Sequence, residues 1–531
     1  MKKLILKTFF FFLFLIPVQV FAGVLGETAV FNIEATHDLQ KRNQVSAEIT
    51  LISGNAEFFV DQNYLLSLGS QRQSFENNLK ALADEFDNNI YPKLTDFFGK
   101  EWSPGIDNNP RISMLLIEMV PLTGGYFRTQ DEFPKTQAPE SNERELIYLN
   151  TLNIEKNNAK SFLAHEFQHL ISFNQLEKRL QKNDDVWANE LRSEYVSTIL
   201  NYDDPFATSI LKQRLEDFKQ NPADSLTEWK NELSDYGSVS LFSYYLADQY
   251  GAAILSDLLK SDSIGIEAIE AILKSKNISD TFSDIFINWS LANFFNNTLN
   301  NPAWGYKYPS LAGKFNIPAT MSFNQYPLLV RLSLKDWQPE LIKFEKGWPP
   351  TASNLKLEFE RPDFDGLFEI AYLTFEENGA AVFNKFEMRG KNESIFVKDF
   401  GGKIKSVLVL PLSEKKKTKF SENEPVSNLT IKVDFAKSIQ PIISEVFPNS
   451  GLFRGGVSVG VKGENFSPDM KIYLFSQKTK KYKLIKKFNF IDSREIKFKT
   501  PRWQAGVYDL VLATPGGEIV SQKSAFTYFK K

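Results

Sequence analysis

Near residue 300 the hydrophobic pattern of the chain changes period, and no single fold accommodates both halves. From Asn158 to about Asn300 apolar residues recur at helical spacing; "SLFSYYLADQY" (240–250) is a clear case, with Gly251 as its stop. Pro302, Pro309 and Pro318 then punctuate a connecting stretch. Beyond it, residues 320–437 alternate short apolar runs with turn signals, which predicts a β-sandwich. The last ninety residues alternate again, with Val457, Val459 and Val461 on one strand face and turns at Asn449-Ser450-Gly451, Gly455-Gly456 and Gly516-Gly517. A chain of 531 residues with this switch is multidomain, α+β first and all-β afterwards.

The first residues have the pattern of a secretory signal. Lys2, Lys3 and Lys7 precede an apolar run from Phe9 to Val20, and Val20-Phe21-Ala22 places cleavage after Ala22. The run is too short for a stable membrane span, and no second run approaches the ~20 apolar residues required. The expected mature chain is secreted or periplasmic, without a transmembrane segment. It has no cysteine, so neither disulfides nor a lipid-modified cysteine can hold it. Net charge is −3, and no stripe of Lys and Arg with interleaved aromatics asks for nucleic acid.

Residues 23–69 read as extended, with "AEITLIS" and "AEFFVD" as strands. Phe75, Leu79, Leu82, Phe86 and Ile90 define one face of a helix that Tyr91-Pro92 kinks or breaks. "RISMLLIEMV" (111–120) and "ELIYLN" (145–150) read as strands, separated by an irregular stretch from Gly124-Gly125 to about Asn142. "SEKKKTKFSENE" (413–424) reads as a solvated hairpin tip.

The chemistry sits in "AKSFLAHEFQHLISF" (159–173), which holds two of the three histidines of the chain. His165, Glu166 and His169 form H-E-x-x-H. On a helix, positions i and i+4 project from one face, so both imidazoles reach one ion. Glu166 stands one residue round, placed to take a proton from a water activated there. Leu163, Phe167 and Leu170 make the opposite, apolar face. An accidental match in a chain with so few histidines is expected on the order of once in a thousand. The position of a third histidine of the metzincin type is Gln175, and His37 lies in the β-rich N-terminal stretch, where a structural role is the ordinary reading. A carboxylate third ligand is therefore expected. "VWANELRSEY" (186–195) supplies Glu190, twenty-one residues after His169, and Glu194 one helical turn on, placed to orient a ligating histidine.

H-E-x-x-H followed by W-x-N-E-x-x-S-E resembles the gluzincin metallopeptidases, and within them the hyicolysin-like M30 family. The resemblance covers residues ~70–300 and includes "ADEFDNNIYPKLTDFFGKEWSPGID", "GGYF", "SNERELIYLN", "HEFQHLISF" and "WANELRSEY". It implies zinc at His165, His169 and Glu190, Glu166 as general base, and peptide hydrolysis in a cleft between a β-rich upper part and a helical lower part. The sequence departs from the family at Leu191-Arg192, where a small Gly-containing stretch is more usual. Tyr236, in a family-like Y-G stretch opening a helix, is the candidate donor to the developing oxyanion. "RELIYLN" is the candidate edge strand for a peptide substrate. Residues ~440–529, with "PIISEVFPNSGLFRGGVSVGVKGENFSP" and "AGVYDLVLATPGG", resemble an IPT/TIG immunoglobulin-like module, usually a spacer or binding domain. Asp363 and Asp365 in "RPDFDG" are a faint cue for calcium, and a turn is the ordinary reading.

These readings divide the chain into a signal peptide (1–22), a metallopeptidase domain (23–310, β-rich to about 157), a β-sandwich (320–437) and an IPT/TIG-like domain (440–531). The expected function is a secreted zinc endopeptidase acting on proteins or peptides, its C-terminal β domains offering a surface to a protein or glycan ligand. The alternative is a secreted adhesion or binding protein whose peptidase-like domain is weak or inactive. A zinc hydrolase for non-peptide substrates ranks third.

Overall fold

The computed structural model describes residues 23–121, 123–154, 159–347, 353–362, 366–436, 440–514 and 518–530. The signal segment to Ala22, Asp363, Asp365 and Gly516-Gly517 lie outside them. Contacts divide the chain into two compact units: Met1–Lys182 with Val196–Asp204, and Asn183–Tyr195 with Pro205–Lys531.

The first unit is built on a six-stranded sheet. Its strands are β1 (Thr28–Asn32), β2 (Gln44–Ile52), β3 (Ala56–Asp61), β4 (Ile112–Ile117), β5 (Gly125–Phe127) and β6 (Leu146–Asn150), in spatial order β1-β2-β3-β4-β6-β5. β3, β4 and β6 run parallel, whereas β1, β2 and β5 are antiparallel to their neighbours. Every residue of β3, β4 and β6 is buried, which explains why their apolar residues do not alternate with polar ones: strands covered on both faces have no solvent side. Phe31, Val45, Ile49, Phe59, Leu115, Ile117 and Tyr148 pack one core.

Two short elements escape the sequence pattern. Residues 62–67, expected as extended, form helix α1 (Gln62–Ser67), whose cap Asp61 accepts from the Asn63 backbone. β5 falls inside the stretch expected to be irregular, and three residues are too few to show a period. Helix α2 (Arg72–Glu85) carries the predicted face. It passes into a π-helical turn, Phe86–Ile90, and then α3 (Tyr91–Phe98), with Pro92 in the first turn. The wider turn accommodates the proline ring, which clashes with the carbonyl four residues back in a regular helix. α4 (Ala159–Ser172) lies against β5 and β6 and also ends in a π-helical turn, Phe173–Lys178.

The second unit opens with α5 (Val186–Glu194); α6 (Val196–Ile199) belongs to the first. α7 (Ile210–Gln220) and α8 (Leu233–Tyr250) approach closely at Gly237, where a Cβ would meet the Phe218 backbone nitrogen at 2.6 Å. Gly251, at φ +87°, ends α8 as its sequence predicts. α9 (Ala253–Leu258), α10 (Gly265–Ser275) and α11 (Phe282–Phe295) complete the helices. The proline-punctuated stretch is no loose tether: Tyr306 is buried and donates to Asn293 at 2.6 Å, and Asn296 donates to the carbonyls of Leu311 and Phe315.

Nine strands follow: β7 (Met321–Phe323), β8 (Leu328–Leu334), β9 (Ile342–Glu345), β10 (Ser353–Glu360), β11 (Leu367–Glu376), β12 (Ala381–Glu387), β13 (Asn392–Phe400), β14 (Ile404–Glu414) and β15 (Ser427–Ala436). One pair, Phe400 with Ile404, joins β13 to β14. Apart from it there are two sheets, β12-β11-β14-β9-β7 and β13-β10-β15-β8. Leu355, Leu357, Phe359, Leu429 and Ile431 from one share a core with Ile370, Tyr372, Val407 and Val409 from the other, which is the expected sandwich. The charged loop 413–424 is not a free tip. Lys416 pairs with the buried Glu424 at 2.7 Å, Lys417 with Glu270 at 2.8 Å, and the Phe420 backbone donates to Asp185 at 3.1 Å. The described residues from 440 onward are strands and turns, with Val459, Val461, Leu474, Leu510 and Phe526 in the core.

Candidate metal centre

α4 is enclosed on nearly every side. Lys160, Phe162 and His165 are half-buried and its other residues are buried. The helix therefore has no solvent face opposite Leu163, Phe167 and Leu170, and Glu166, Gln168, His169 and Ser172 are inside as well. His165 and His169 stand with ring centroids 4.8 Å apart and planes at 81°. A ligating atom of each histidine and a carboxylate oxygen of Glu190 lie within 4.8 Å of one another. Among the described residues this is the one group of three or more His, Cys, Asp or Glu able to hold a metal ion. Two imidazoles and a carboxylate suit zinc, and three protein ligands leave a position for water.

Glu166 is 7% exposed. It lies against the edge strand: a Cβ at Gly125 would come within 3.1 Å of its Cγ and 2.7 Å of the Tyr148 carbonyl oxygen. Glycine at 125 is thus what lets β5 pass so close to the glutamate. The candidate edge strand in "RELIYLN" is corrected here. β6 is paired on both sides, by β4 and β5, and the sheet ends at β5.

Glu190 and Glu194 are held by the helix α5. Arg192 lies about 200° round from Glu190. It is 1% exposed, and its guanidinium donates to Asp184 at 2.7 Å and to Asn189 at 3.2 Å. The departure from the family pattern thus serves to pin the start of α5. The neighbouring Asp185 is pushed up to about 6 by burial. Glu194 accepts from both prongs of Arg214, Nε at 2.9 Å and Nη2 at 2.8 Å. Tyr236 lies over that guanidinium, 4.5 Å from ring centroid to Cζ, and its hydroxyl donates to Asn231 at 2.7 Å. The Y-G pair has a physical reason: Gly237 lets α8 close on α7, which brings Tyr236 to Arg214.

The remaining histidine and Gln175 are structural. His37 packs on the Tyr126 ring at 4.9 Å with planes at 32°, its backbone bonds to Glu34 and Val120, and burial lowers its pKa. Gln175 donates to the Lys100 carbonyl at 2.6 Å and packs on Gly99. Sequence reasoning missed Arg214, hidden among the charges of "ILKQRLEDFKQ", and Gly125, whose tight contact only the fold reveals.

The IPT/TIG domain family model matches residues 441–528. With the His/His/Glu group, this defines the class: a chain resembling the hyicolysin-like metallopeptidases that ends in an IPT/TIG domain. The particular relative is a neutral metalloprotease, ShpI, of Staphylococcus hyicus, 27% identical over 282 residues, which is 48% of this chain and 59% of that protein. The chain therefore spans about three fifths of that curated relative. Among solved structures it is similar to the M60 catalytic domain with two CBM51 domains of Clostridium perfringens ZmpB (9% identity, 90% of this chain, 68% of that chain, TM-score 0.26). It is also similar to the pre-peptidase C-terminal domain of a Bacillus anthracis collagenase (10% identity, 22% of this chain, 99% of that chain, TM-score 0.16). No helix of the described residues is long and apolar enough to cross a membrane.

Proposed function

We propose that the chain is a secreted zinc-dependent endopeptidase, with residues 23–310 as its catalytic domain and the IPT/TIG module as a binding or spacing domain. The observation that carries this reading is the convergence of His165, His169 and Glu190, with Glu166 beside them in sequence and buried against an edge strand. A zinc ion held by those three residues would polarise a water and the scissile carbonyl. A peptide adds to the free side of β5 by backbone hydrogen bonds. Glu166 takes the proton of the attacking water and delivers it to the leaving nitrogen. Tyr236 donates from its hydroxyl to the oxygen that gains charge. Glu194, fixed by Arg214, orients a ligating imidazole. The leader ending at Ala22 directs export.

The test is paired. Bound zinc is measured by elemental analysis, and casein cleavage is assayed, for wild type and Glu166→Gln. About one zinc per chain in both proteins, with cleavage lost in the variant, is expected. Zinc in both with cleavage in neither would make the chain a binding protein with an inactive peptidase-like domain. No zinc in either would remove the metal centre.

A further inference from the structure

A cavity of about 320 Å³ in the first unit has no part in the reading above. Trp102, Glu132, Phe133, Phe173 and Lys178 line it. Its position ties it to the site. Phe173 lies one helical turn beyond His169, and packs on Phe127 of β5 at 6.4 Å and on Phe133 at 5.8 Å. The cavity thus opens at the end of α4 and beside the strand along which a peptide would pair.

Its polar floor is unusual. Glu132, in the 3₁₀ turn after β5, is 3% exposed, and no protein donor reaches either carboxylate oxygen. Its carboxyl instead faces a second acid, Glu145, and burial together with that acid raises its pKa. Glu145 is fixed from behind by the Ile106 amide at 2.7 Å, and Gly105, at φ +82°, leaves no room for a side chain there. Burial raises the pKa of both acids, so a charge on either is costly without a counter-ion nearby. The chain supplies a partial answer in Lys178, an exposed side chain whose ammonium lies over the Trp102 ring and feels both acids. An ammonium on an aromatic face with buried acid behind it is the arrangement that selects organic cations. A metal is the poorer occupant, because these two carboxylates belong to no group of three ligands among the described residues.

We propose that this cavity receives the lysine or arginine side chain of a peptide substrate, with Glu132 as counter-charge and Trp102, Phe133 and Phe173 as walls. The peptide part of this proposal rests on the reading above; the cation site does not. Its test therefore needs no catalysis. Binding of n-butylguanidinium to the full chain is followed by ligand-observed NMR, with pentanamide as the neutral probe. Saturable binding of the guanidinium alone is expected, weakened by about tenfold or more in Glu132→Gln. Lys178→Met, at an exposed position, removes the resident cation and tightens binding several-fold. Absence of binding, or equal binding by wild type and a Glu132→Gln protein of native circular dichroism, overturns the site whatever the chain cleaves. Binding in a chain that cleaves nothing supports the cation site and breaks the peptidase reading instead. In an active enzyme, a peptide-library profile enriched in lysine or arginine at one position, and flattened in Glu132→Gln, is expected. A profile indifferent to those residues overturns the assignment to substrate.

Discussion

The sheet of the first unit and the strands after residue 440 bury their polar groups differently. In the C-terminal domain most buried polar side chains are answered from within the domain, Gln522 Oε1 being an exception. Asp509 accepts from Gln477 and the Ser524 amide, Asp492 from the Arg494 amide, Ser476 from Thr479, and Thr500 from Val457. Each fastens a turn or a strand end to its own domain. In the first unit oxygens of Glu57, Glu101 and Glu132 are buried with no hydrogen-bond donor, and Glu132 and Glu145 meet each other. A polar group satisfied within its own domain is architecture. Polar groups from different elements that converge without satisfying one another hold their places for something else. By that criterion the candidate chemistry belongs to the first region, together with the helix α5 that carries Glu190 and Glu194.

The strongest challenge to this contrast is Glu166→Gln. It is expected to lower kcat/KM for casein by about 10²–10⁴-fold with zinc content unchanged. Cleavage that survives the change would place the general base elsewhere. Arg214→Met comes next. It leaves Glu194, whose side chain is 1% exposed, without its bidentate partner, and a buried uncompensated charge costs about 3–5 kcal/mol. Denaturant melts should show that loss, and the double variant with Glu194→Gln should recover part of it. The reciprocal change is Leu510→Ala in the C-terminal core, expected to destabilise by about 2–5 kcal/mol while zinc content and the casein rate stay as in wild type. A fall in casein turnover by the folded variant would mean that the module takes part in presenting substrate.

How much of this was legible in the sequence depended on how far apart the cooperating residues lie. His165, Glu166 and His169 share one helix, so periodicity alone aligns them, and Glu190 followed from counting on to the next acidic helix. The period switch near residue 300 and the alternation around Val459 and Val461 marked the two later β domains for the same reason, since both patterns are local. Contacts made across elements left no such trace. β5 has three residues and no period. Arg214 reads as an ordinary surface charge until Gly237 brings two helices together. The loop 413–424 looks solvated because nothing nearby in sequence announces Asp185, Glu270 or Glu228, which accept from the Phe420 amide, the Lys417 ammonium and the Glu424 amide. Glu132 and Glu145 lie thirteen residues apart, in and beside a stretch without pattern, and only the fold turns one toward the other.

That pair also yields the smallest of the expected effects, and one that separates the two regions by pH. Burial, with the nearby charge of Asp107 adding to it, pushes the Glu145 carboxyl up to about 8. In the unfolded chain a glutamate titrates near 4.3. Between those values the unfolded state has released a proton that the folded state retains, so stability falls as pH rises through the window and levels off above pH 8. The slope contributed by one such group is about 1 kcal/mol per pH unit, read as the difference in unfolding free energy at pH 6 and pH 7. Glu132 is displaced in the same direction by its own burial and by Glu145. Glu145→Gln alone should therefore reduce the slope, and Glu132→Gln with Glu145→Gln should remove the pair's share. Leu510→Ala, lacking any ionisable change, should shift the curve downward without altering its slope. A slope that stays the same in the double variant would mean that both carboxyls are ionised at neutral pH. The cavity would then hold two negative charges at neutral pH, and the contrast between the regions would be sharper still.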